Sequence, residues 1–442
     1  MVILAVALPL AVSCVVSSKP LVITAPPAVE AVRPTDQGAP RPEIHFYDDF
    51  WRALADINLQ SAWIAAGSTE QRKLADGIQD FMNGDNAEAD STIVQLLSAD
   101  DSEVREVARI TYGAILSAQG DWLRLATYAD TVNTNIQEYS GIRIHDPASV
   151  EAWAPTLKGM STTLTFADTV SSVPLSRSSG GIPTIPVSVN GVTKYFWIDT
   201  GSSLTVLSSA VADASGVTTV LGDSLELVTA VGRLPAHAAV IPSLRLGGVT
   251  VANARAMIVT GSVLQLKGPV DEVPPEAIDG VIGFDLIRQL DLTIDDNLGR
   301  VIIRKPSLRP PTVKRPRNLS WYGVPIVTLL SEKGVAVHLA LDTGADETFG
   351  TPEMARKSGA SWRRAERRIV KGFGGSVSEP GVVIPSVRLF LGDVPLVFRR
   401  IFLYEAHYPT IFTLDGTLGA DAGRGGVVRI DMTNGRLDIS RK

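Results

Sequence analysis

The triplet Asp-Thr-Gly occurs twice in this chain, and each copy directly follows an apolar, strand-like run. The first copy lies in YFWIDTGSSLTVLS, with its carboxylate at Asp199, and the second lies in HLALDTGADETFG, with its carboxylate at Asp342. One such triplet is compatible with an ordinary exit from a strand into a turn. Two copies in the same local setting instead suggest a repeated structural unit.

The sequence around the two triplets repeats as well. Residues 143 positions apart match on both sides of the triplet, and IPSLRL over 241–246 corresponds to IPSVRL over 384–389. Farther along, the offset falls to 136, where GVIGFD aligns with GTLGAD and TIDDNLGR aligns with RIDMTNGR. One gap therefore aligns both halves, which indicates an internal duplication with the triplet at the same place in each copy.

Composition excludes several classes of function. The 442 residues predict two to four domains, and 45% hydrophobic with 20% charged residues is typical of a globular protein. The formal net charge of −6 argues against nucleic acid as a partner. The single cysteine excludes an intramolecular disulfide framework, and the five histidines show no metal-ligand spacing. We therefore expect no metal and no cofactor.

The first 14 residues, MVILAVALPLAVSC, resemble a bacterial lipoprotein signal peptide with a loose lipobox that ends at Cys14. No lysine or arginine precedes the apolar run, which departs from that pattern, and a plain secretory signal with an incidental cysteine remains the alternative. Either interpretation predicts export. We expect a periplasmic protein of a Gram-negative bacterium, anchored to the membrane by a lipid on Cys14.

The remaining sequence divides into five segments. Residues 15–43 form a Pro/Ala-rich linker, and residues 44–145 carry the 3.6-residue periodicity of helices, with a weak likeness to tetratricopeptide-type pairs. This helical domain serves either as a platform for partners or for packing alone. Short β-branched runs then predict two all-β units over 173–303 and 321–442, joined by a basic Pro-rich linker over 304–320.

Each all-β unit resembles a lobe of the retropepsin-like and pepsin-like aspartic proteases. LALDTGADETF is similar to the retroviral form of the motif and DTGSS to the pepsin form, and the resemblance covers Gly181 to Ser440. It implies a helical region followed by an all-β bilobal aspartic protease fold, built from two duplicated retropepsin-like lobes. The implied activity is hydrolysis of peptide bonds in extended polypeptides.

Two neighbouring carboxylates suit this chemistry because they cannot both ionise at close range, so that the pair holds one proton. The charged carboxylate then acts as general base toward water, and the protonated one polarises the substrate carbonyl. The resemblance implies catalytic roles for Asp199 and Asp342. It also implies supporting roles for Thr200, Gly201, Ser202, Thr343, Gly344 and Ala345, and bracing turns at Val281, Ile282, Gly283, Leu418 and Gly419, with Thr417 in place of the usual apolar residue.

The triplets differ in the next residue, which is Ser202 in one copy and Ala345 in the other. A serine hydroxyl can stabilise the charged form of a neighbouring carboxylate. The sequence thus favours Asp199 as the ionised member and Asp342 as the protonated one.

In the family, hairpins called flaps cover the cleft and pair with the substrate strand to strand. The resemblance places them at 227–234 and 370–377, with flexible tips at Gly232, Gly374 and Gly375. Phe373 would either cap a substrate side chain or serve as a buried packing residue.

Both half-sites lie on one chain, so we expect activity as a monomer, although pairing of lobes between chains stays open. The alternative function is a catalytically inactive peptide-binding or scaffold protein of the bacterial cell envelope.

Overall fold

The structure, a computed structural model, describes most of the chain after residue 46. The described residues are 7–8, 15–17, 40–42, 47–129, 137–139, 142–144, 161–220, 225–229, 231–260, 264–266, 276–309, 316–361, 364–373, 375–408 and 410–441. The predicted lipidation site Cys14, the flap glycine Gly374 and most of the predicted linker over 15–43 lie outside them. Within the described residues, no helix is both long and apolar enough to cross a membrane.

The described residues before the β lobes contain six α-helices. They span Phe50–Ala55, Leu59–Ala65, Thr69–Asn83, Asn86–Leu96, Ser102–Gln119 and Trp122–Ala129. The helix Thr69–Asn83 begins where the Ser68 hydroxyl accepts the N–H of Gln71 (3.1 Å) as an N-cap, and it ends at Gly84 in the left-handed region. Buried apolar residues of consecutive helices form one hydrophobic cluster. The likeness to tetratricopeptide pairs stays a prediction.

A short ladder lies near the predicted end of the helical region. Among the described residues between Ala129 and residue 161, residues 137–139 and 142–144 form a two-stranded antiparallel ladder where the sequence predicts helix. This part of the chain contains Ile136, Tyr139, Ile142 and Ile144, and β-branched and aromatic residues favour strands over helices. The predicted end of the helical domain at residue 145 stays a prediction.

The first β lobe is one large mixed sheet that curls around its own core. Its strands are Thr163–Phe166, Ser176–Arg177, Pro183–Val189, Val192–Ile198, Val206–Ser208, Leu225–Thr229, Gly232–Leu246, Val249–Val259 and Gly280–Ile282, with short helices at Ser209–Ser215 and Phe284–Ile287. A separate short ladder joins Gln265–Leu266 to Glu276–Ala277. The lobe begins before the predicted residue 173, because Thr163–Phe166 pairs with Val249–Val259.

The second β lobe repeats this arrangement. Its strands are Leu319–Tyr322, Val324–Ser331, Ala336–Leu341, Phe349–Gly350, Arg364–Gly372, Gly375–Leu391, Val394–Leu403 and Gly416–Leu418, with a helix at Pro352–Ser358 and a 3-10 turn at Ala420–Ala422. In both lobes, the strand that leads to the triplet runs antiparallel to the preceding strand and parallel to the strand of the bracing turn.

Two further strands near the N-terminus extend these sheets. Ala7–Leu8 pairs in parallel with Leu225–Thr229, and Val15–Ser17 pairs antiparallel with Arg364–Gly372. Each of them lies at the outer edge of a hairpin that the sequence analysis identified as a flap.

A five-stranded antiparallel sheet joins the lobes. Its order is Arg436–Ser440, Val427–Asp431, Asp291–Asp295, Arg300–Arg304 and Val170–Pro174. The junction is the pair formed by Asp291–Asp295 and Val427–Asp431, where Arg429 donates to both carboxylate oxygens of Asp291 at 2.8 and 2.6 Å. Bidentate pairs of this kind fix relative orientation as well as position. The two lobes are thus held together within a single chain.

The helices pack mainly on the second lobe. Tyr322 and Phe412 of that lobe share a buried hydrophobic cluster with the helices, and Phe81 meets the Tyr322 ring edge-on at 5.7 Å. The Tyr322 hydroxyl lies 2.6 Å from that of Thr111. The first lobe contributes Arg288, which donates to two carbonyls at the end of helix Ser102–Gln119. A cation there complements the negative end of the helix dipole.

The predicted linker over 304–320 is only partly a linker. Arg304 ends a strand of the joining sheet, and Leu319 begins a strand of the second lobe. Asn318 exchanges two hydrogen bonds with Leu437, and burial lowers the pKa of Arg317. These contacts fix the described end of the segment to the second lobe.

Candidate active site

The structure brings the two Asp-Thr-Gly loops face to face between the lobes. Each aspartate directly follows its strand, and its N–H bonds to a carbonyl of the bracing turn. Asp199 donates to Ile282 at 3.1 Å, and Asp342 donates to Leu418 at 3.0 Å. Because the strand and the bracing turn are joined by a parallel ladder, each carboxylate is positioned by regular backbone rather than by a free loop.

The two threonines lock the loops together reciprocally. Thr200 donates its hydroxyl to the carbonyl of Leu341 (2.8 Å) and accepts the N–H of Thr343 (2.9 Å). Thr343 donates its hydroxyl to the carbonyl of Ile198 (2.8 Å) and accepts the N–H of Thr200 (3.1 Å). Both threonines are buried, and each hydroxyl donates one hydrogen bond and accepts one. Four hydrogen bonds thus cross the junction where the carboxylates meet.

The residues after each aspartate hold its carboxylate by their backbone. Gly201 and Ser202 donate their N–H groups to Asp199 Oδ1 at 2.9 and 3.2 Å. Gly344 and Ala345 donate to Asp342 Oδ1 at 2.9 and 3.1 Å. The amides therefore anchor one oxygen of each carboxylate.

Gly201 is required by a close approach between the two loops. A Cβ atom on Gly201 would lie 2.5 Å from the Asp342 carboxylate carbon, so any side chain there would displace the opposite aspartate. The first loop thus contacts the carboxylate of the second loop directly.

The two carboxyl groups share a hydrogen bond. Burial raises the pKa of Asp342 well above its usual range, and the charge of Asp199 and the hydrogen bond to it raise the pKa further. The N–H groups of Gly344 and Ala345 oppose this shift but do not cancel it. The pair therefore retains one proton, as expected for two like charges that cannot both ionise, and its assignment to Asp342 stays a prediction.

The predicted role of the Ser202 hydroxyl is wrong. That hydroxyl donates to the carbonyl of Leu204 at 2.7 Å. A hydroxyl has a single hydrogen to donate, so none is left for Asp199, and only the backbone of Ser202 stabilises the carboxylate. The difference between the two aspartates therefore has another origin than the serine.

The bracing turns carry a pair of residues that the sequence analysis missed. Thr205 bonds to Asp285 (3.1 Å) and accepts the N–H of Gly283 (3.3 Å). In the second lobe, Thr348 bonds to Asp421 (2.6 Å) and accepts the N–H of Gly419 (3.0 Å). The alignment of the two copies contains the signal, because both threonines and both aspartates recur at its two offsets.

The two glycines that close the bracing turns have no room for a side chain. A Cβ on Gly283 would lie 2.4 Å from the Leu204 backbone, and one on Gly419 would lie 2.6 Å from the Glu347 backbone. The polar residue Thr417 fits its buried place because its hydroxyl lies 3.0 Å from the hydroxyl of Tyr408.

Hairpins stand at both predicted flap positions. They consist of Leu225–Thr229 with Gly232–Leu246 and of Arg364–Gly372 with Gly375–Leu391. Gly232 and Gly375 have φ values of 148° and 157°, which explains glycine at both tips. Phe373 is buried and packs against Trp197 of the first lobe, with ring centroids 5.7 Å apart.

A buried ionic cluster fixes the helices to the second lobe, and the sequence analysis did not identify it. Lys357, which is buried, donates to Asp56 of the helical region (2.5 Å) and to Asp415 (3.0 Å). Burial raises the pKa of Asp415 to about 6 although Lys357 opposes the shift, and burial with the charge of Lys357 lowers the pKa of His338 to about 3. Strands Ala336–Leu341 and Gly416–Leu418 run from this cluster to the site.

Among the residues that the structure describes, no group of three or more His, Cys, Asp or Glu side chains is arranged to hold a metal ion.

The comparison with known families covers the first half of this site. Residues 185–286, which contain the first triplet, the first flap and its bracing turn, match the family model described as aspartyl protease. This match confirms the resemblance to the aspartic proteases for the first lobe. Among solved structures, a retropepsin-like aspartic protease from Rickettsia conorii is 18% identical over 33% of this chain and 93% of its own, with a TM-score of 0.21. A search of curated proteins finds no match.

Proposed function

We propose that this chain is an aspartic endopeptidase, in which Asp199 and Asp342 activate water against a peptide bond of an extended polypeptide. The observation that carries the proposal is the close approach of the two triplet loops inside one chain, where a Cβ on Gly201 would lie 2.5 Å from the Asp342 carboxylate carbon. The exchange of hydrogen bonds between Thr200 and Thr343 supports it, because it holds both loops in the geometry that a shared proton needs. The match to the aspartyl protease family supports the general class of activity.

The chemistry follows from the single shared proton. Asp199 accepts a proton from water as the water oxygen attacks the carbonyl carbon, and Asp342 gives its proton to the carbonyl oxygen. The resulting tetrahedral diol collapses with cleavage of the C–N bond. Asp199 then protonates the departing nitrogen, and Asp342 recovers a proton from a diol hydroxyl. Both carboxyl groups return to their initial states, and each water consumed produces one new carboxyl and one new amine.

The resemblance between the lobes supports an origin by duplication, with one catalytic carboxylate from each copy. The strand pairing between Asp291–Asp295 and Val427–Asp431 supports activity as a monomer, because both halves of the site are joined within one chain. We further propose that the protein is exported and anchored by a lipid on Cys14, on the sequence evidence alone. Incorporation of labelled palmitate that a Cys14→Ser variant abolishes would test this.

The alternative function is an inactive peptide-binding or scaffold protein of the cell envelope. It is favoured by one observation, the burial of Phe373 of the second flap against the first lobe, since this arrangement closes the site against a peptide.

The decisive experiment compares the wild type with Asp199→Asn and Asp342→Asn on a peptide library between pH 4 and 8. Loss of general acid–base catalysis predicts a fall of at least ~10²- to 10⁴-fold in cleavage rate for either variant. Asp213→Asn, an exposed aspartate on helix Ser209–Ser215, is the matched control and retains activity. Cleavage that survives in either site variant would refute a shared dyad, and a wild type that never cleaves would favour the alternative.

A further inference from the structure

Arg288 and Arg424 occupy the same place in the two copies, 136 residues apart and three residues after the aspartate of each bracing turn. Each of them reaches the opposite lobe. Arg424 donates to the carbonyl of Gly180 in the first lobe at 3.2 Å and to the carbonyl of Asp346 in its own lobe at 3.0 Å. Arg288 lies over the ring of Trp321 in the second lobe, 5.1 Å from the ring centroid. The two arginines are therefore counterparts that each link one lobe to the other.

Arg288 also has partners in the helical region. Its guanidinium donates to the carbonyls of Ser117 and Ala118 at 3.0 and 3.3 Å, both in the last turn of their helix. The ring of Trp321, which the guanidinium covers, meets Phe81 of another helix edge-on at 5.8 Å. Arg288 thus lies where the helical region, the first lobe and the second lobe meet.

A short run of backbone connects Arg288 to the loop of Asp199. Arg288 caps the short helix that begins at Gly283, the glycine of the bracing turn behind Asp199. The N–H of Arg288 donates to the carbonyl of Phe284 at 3.0 Å, and the N–H of Phe284 donates to the carbonyl of Ser202 at 2.7 Å. Ser202 directly follows the first triplet. A shift of Arg288 would therefore move the loop that carries Asp199.

The bracing turn has hydrogen bonds of its own that do not involve the Arg288 side chain. Asp285 accepts the hydroxyl of Thr205 at 3.1 Å. Burial raises the pKa of Asp285 to about 6, and the charges of Arg288 and Arg255 both oppose this shift. Replacement of Arg288 therefore removes the contact with the helices and leaves the hydrogen bond that builds the turn.

We propose that Arg288 is a positioning residue, through which the helical region holds the loop of Asp199 at the place where it meets Asp342. The helices pack mainly on the second lobe, so their position is tied to that of Asp342, and Arg288 ties the first lobe to the same helices. The side chain touches no reacting atom. This inference rests on the proposed function, and it gives the helical region a role in aligning the two carboxyl groups.

A displaced loop of Asp199 would change the reaction in a specific way. A misplacement of about 1 Å costs about 10²-fold in rate, because proton transfer needs the reacting groups in contact. Such a loss lowers kcat and leaves KM unchanged when the lost alignment matters only in the transition state. Two carboxyl groups that lie farther apart also separate their pKa values less, so the pH–rate profile becomes narrower on both limbs.

The test compares the wild type with Arg288→Ala and Arg288→Lys in kcat, in KM and in the pH profile of kcat/KM. We expect Arg288→Ala to lower kcat by about tenfold to 10²-fold and to change KM by less than about twofold. The profile should become narrower by about 1 pH unit. Arg288→Lys, whose ammonium group can still donate to the helix carbonyls, should recover most of kcat and of the width of the profile.

Tyr322→Phe is the matched control, because it also removes a contact between the helices and a β lobe. The Tyr322 hydroxyl lies 2.6 Å from that of Thr111, within the buried cluster of the helices and the second lobe. This variant should unfold at a lower temperature and keep kcat, KM and the pH profile of the wild type. If Arg288→Ala likewise loses only stability, Arg288 merely fastens the helices and the proposal is wrong.

A second measurement does not depend on cleavage. In protein labelled with ¹³C at the aspartate carboxyl carbons, the resonances that disappear in Asp199→Asn and in Asp342→Asn report the titration of the pair. We expect the upper pKa of the pair to fall by about 1 in Arg288→Ala and to stay unchanged in Tyr322→Phe. A wild type that never cleaves would refute the proposed function, whereas an upper pKa that Arg288→Ala leaves unchanged would refute the role of Arg288.

Arg288→Gln covers the event that Arg288→Ala does not fold. It keeps one amide donor for the helix carbonyls and loses the charge and the planar fork of the guanidinium. The same changes in kcat and in the upper pKa of the pair are expected, at a smaller size. Wild-type values for both quantities in Arg288→Gln would contradict the proposal.

Discussion

The two lobes have the same Asp-Thr-Gly loop and different surroundings. Trp197 and Ala340 occupy the same position, 143 residues apart and two residues before their aspartates. Trp197 packs with the flap residue Phe373, whereas Ala340 belongs to the hydrophobic cluster that the helices build on the second lobe. Hydrogen bonds within the loops recur in both copies, while the contacts behind them diverge. The first lobe thus receives a flap residue of the other lobe at this position, and the second lobe receives the helices.

The contact between the helices and the second lobe includes Lys357, and we expect its substitution to have the largest effect on stability. Lys357→Met leaves Asp415 and Asp56 without their cation, and loss of one partner of a buried pair costs about 3–5 kcal/mol of unfolding free energy. The neighbouring Arg356→Met, which breaks only the exposed pair with Glu353, should cost no more than about 1 kcal/mol. Urea unfolding of both variants checks the difference, and equal losses would contradict a special role for the buried cluster.

The same variant has a defined pH dependence. The folded-state pKa of Asp415 is raised to about 6, so its protonated form is favoured in the folded chain, and stability from this group declines as pH rises from about 4 through 6. Without Lys357 that pKa rises further. The cost of Lys357→Met should therefore be larger at pH 8 than at pH 5, and a cost that is the same at both values would indicate lost packing instead.

The hydrogen bonds between the two Asp-Thr-Gly loops can be removed by a substitution in either loop. We expect these substitutions to have the next largest effect on stability. Thr200→Val and Thr343→Val each remove a buried hydroxyl that serves two hydrogen bonds across the junction, at about 1–3 kcal/mol apiece. Because the exchange is reciprocal, we expect equal losses of stability and of cleavage rate from the two variants. Serine at either position keeps the hydroxyl and should restore most of both. Unequal losses would show that one lobe dominates the junction.

We expect the smallest effect, on the pH–rate profile, from exchanging the residues that differ after the two triplets, Ser202 and Ala345. Ser202→Ala removes a hydroxyl that donates to Leu204, so the acid limb of the pH–rate profile should move by less than about 0.3 pH unit. Ala345→Ser, the reverse change in the other lobe, serves as its counterpart. A shift of a full unit in Ser202→Ala alone would restore the hydroxyl as the origin of the asymmetry between Asp199 and Asp342.

The parts of the structure that could be predicted from the sequence are mostly the parts that recur in both copies. The comparison of the copies places Asp199 and Asp342 at equivalent positions, and the resemblance to aspartic protease lobes predicts the bracing turns and the hairpins. The comparison also contains Thr205 and Thr348, which the sequence analysis did not identify. The pattern of strands predicted all-β units, because β-branched runs and turn residues are local signals.

Features that depend on contacts between distant segments were not predictable. Burial of Phe373 depends on where the tip of a long hairpin lies relative to the other lobe. The Ser202 hydroxyl donates to the Leu204 carbonyl rather than to Asp199, and no sequence pattern distinguishes these two acceptors. The cluster of Lys357, Asp415 and Asp56 depends on a hydrogen bond between Lys357 and Asp56, which are 301 positions apart, and no local pattern marks a lysine that will be buried.

The joining sheet also determines the fraction of molecules in which the two carboxylates lie together. In an enzyme assembled from separate subunits, dilution lowers the fraction of complete sites, and activity per molecule falls with concentration. Here Asp291–Asp295 and Val427–Asp431 pair within one polypeptide, so the effective concentration of one half-site at the other is set by the covalent connection. Each half of the site is then also free to change separately, since a substitution near one aspartate is not copied to the other.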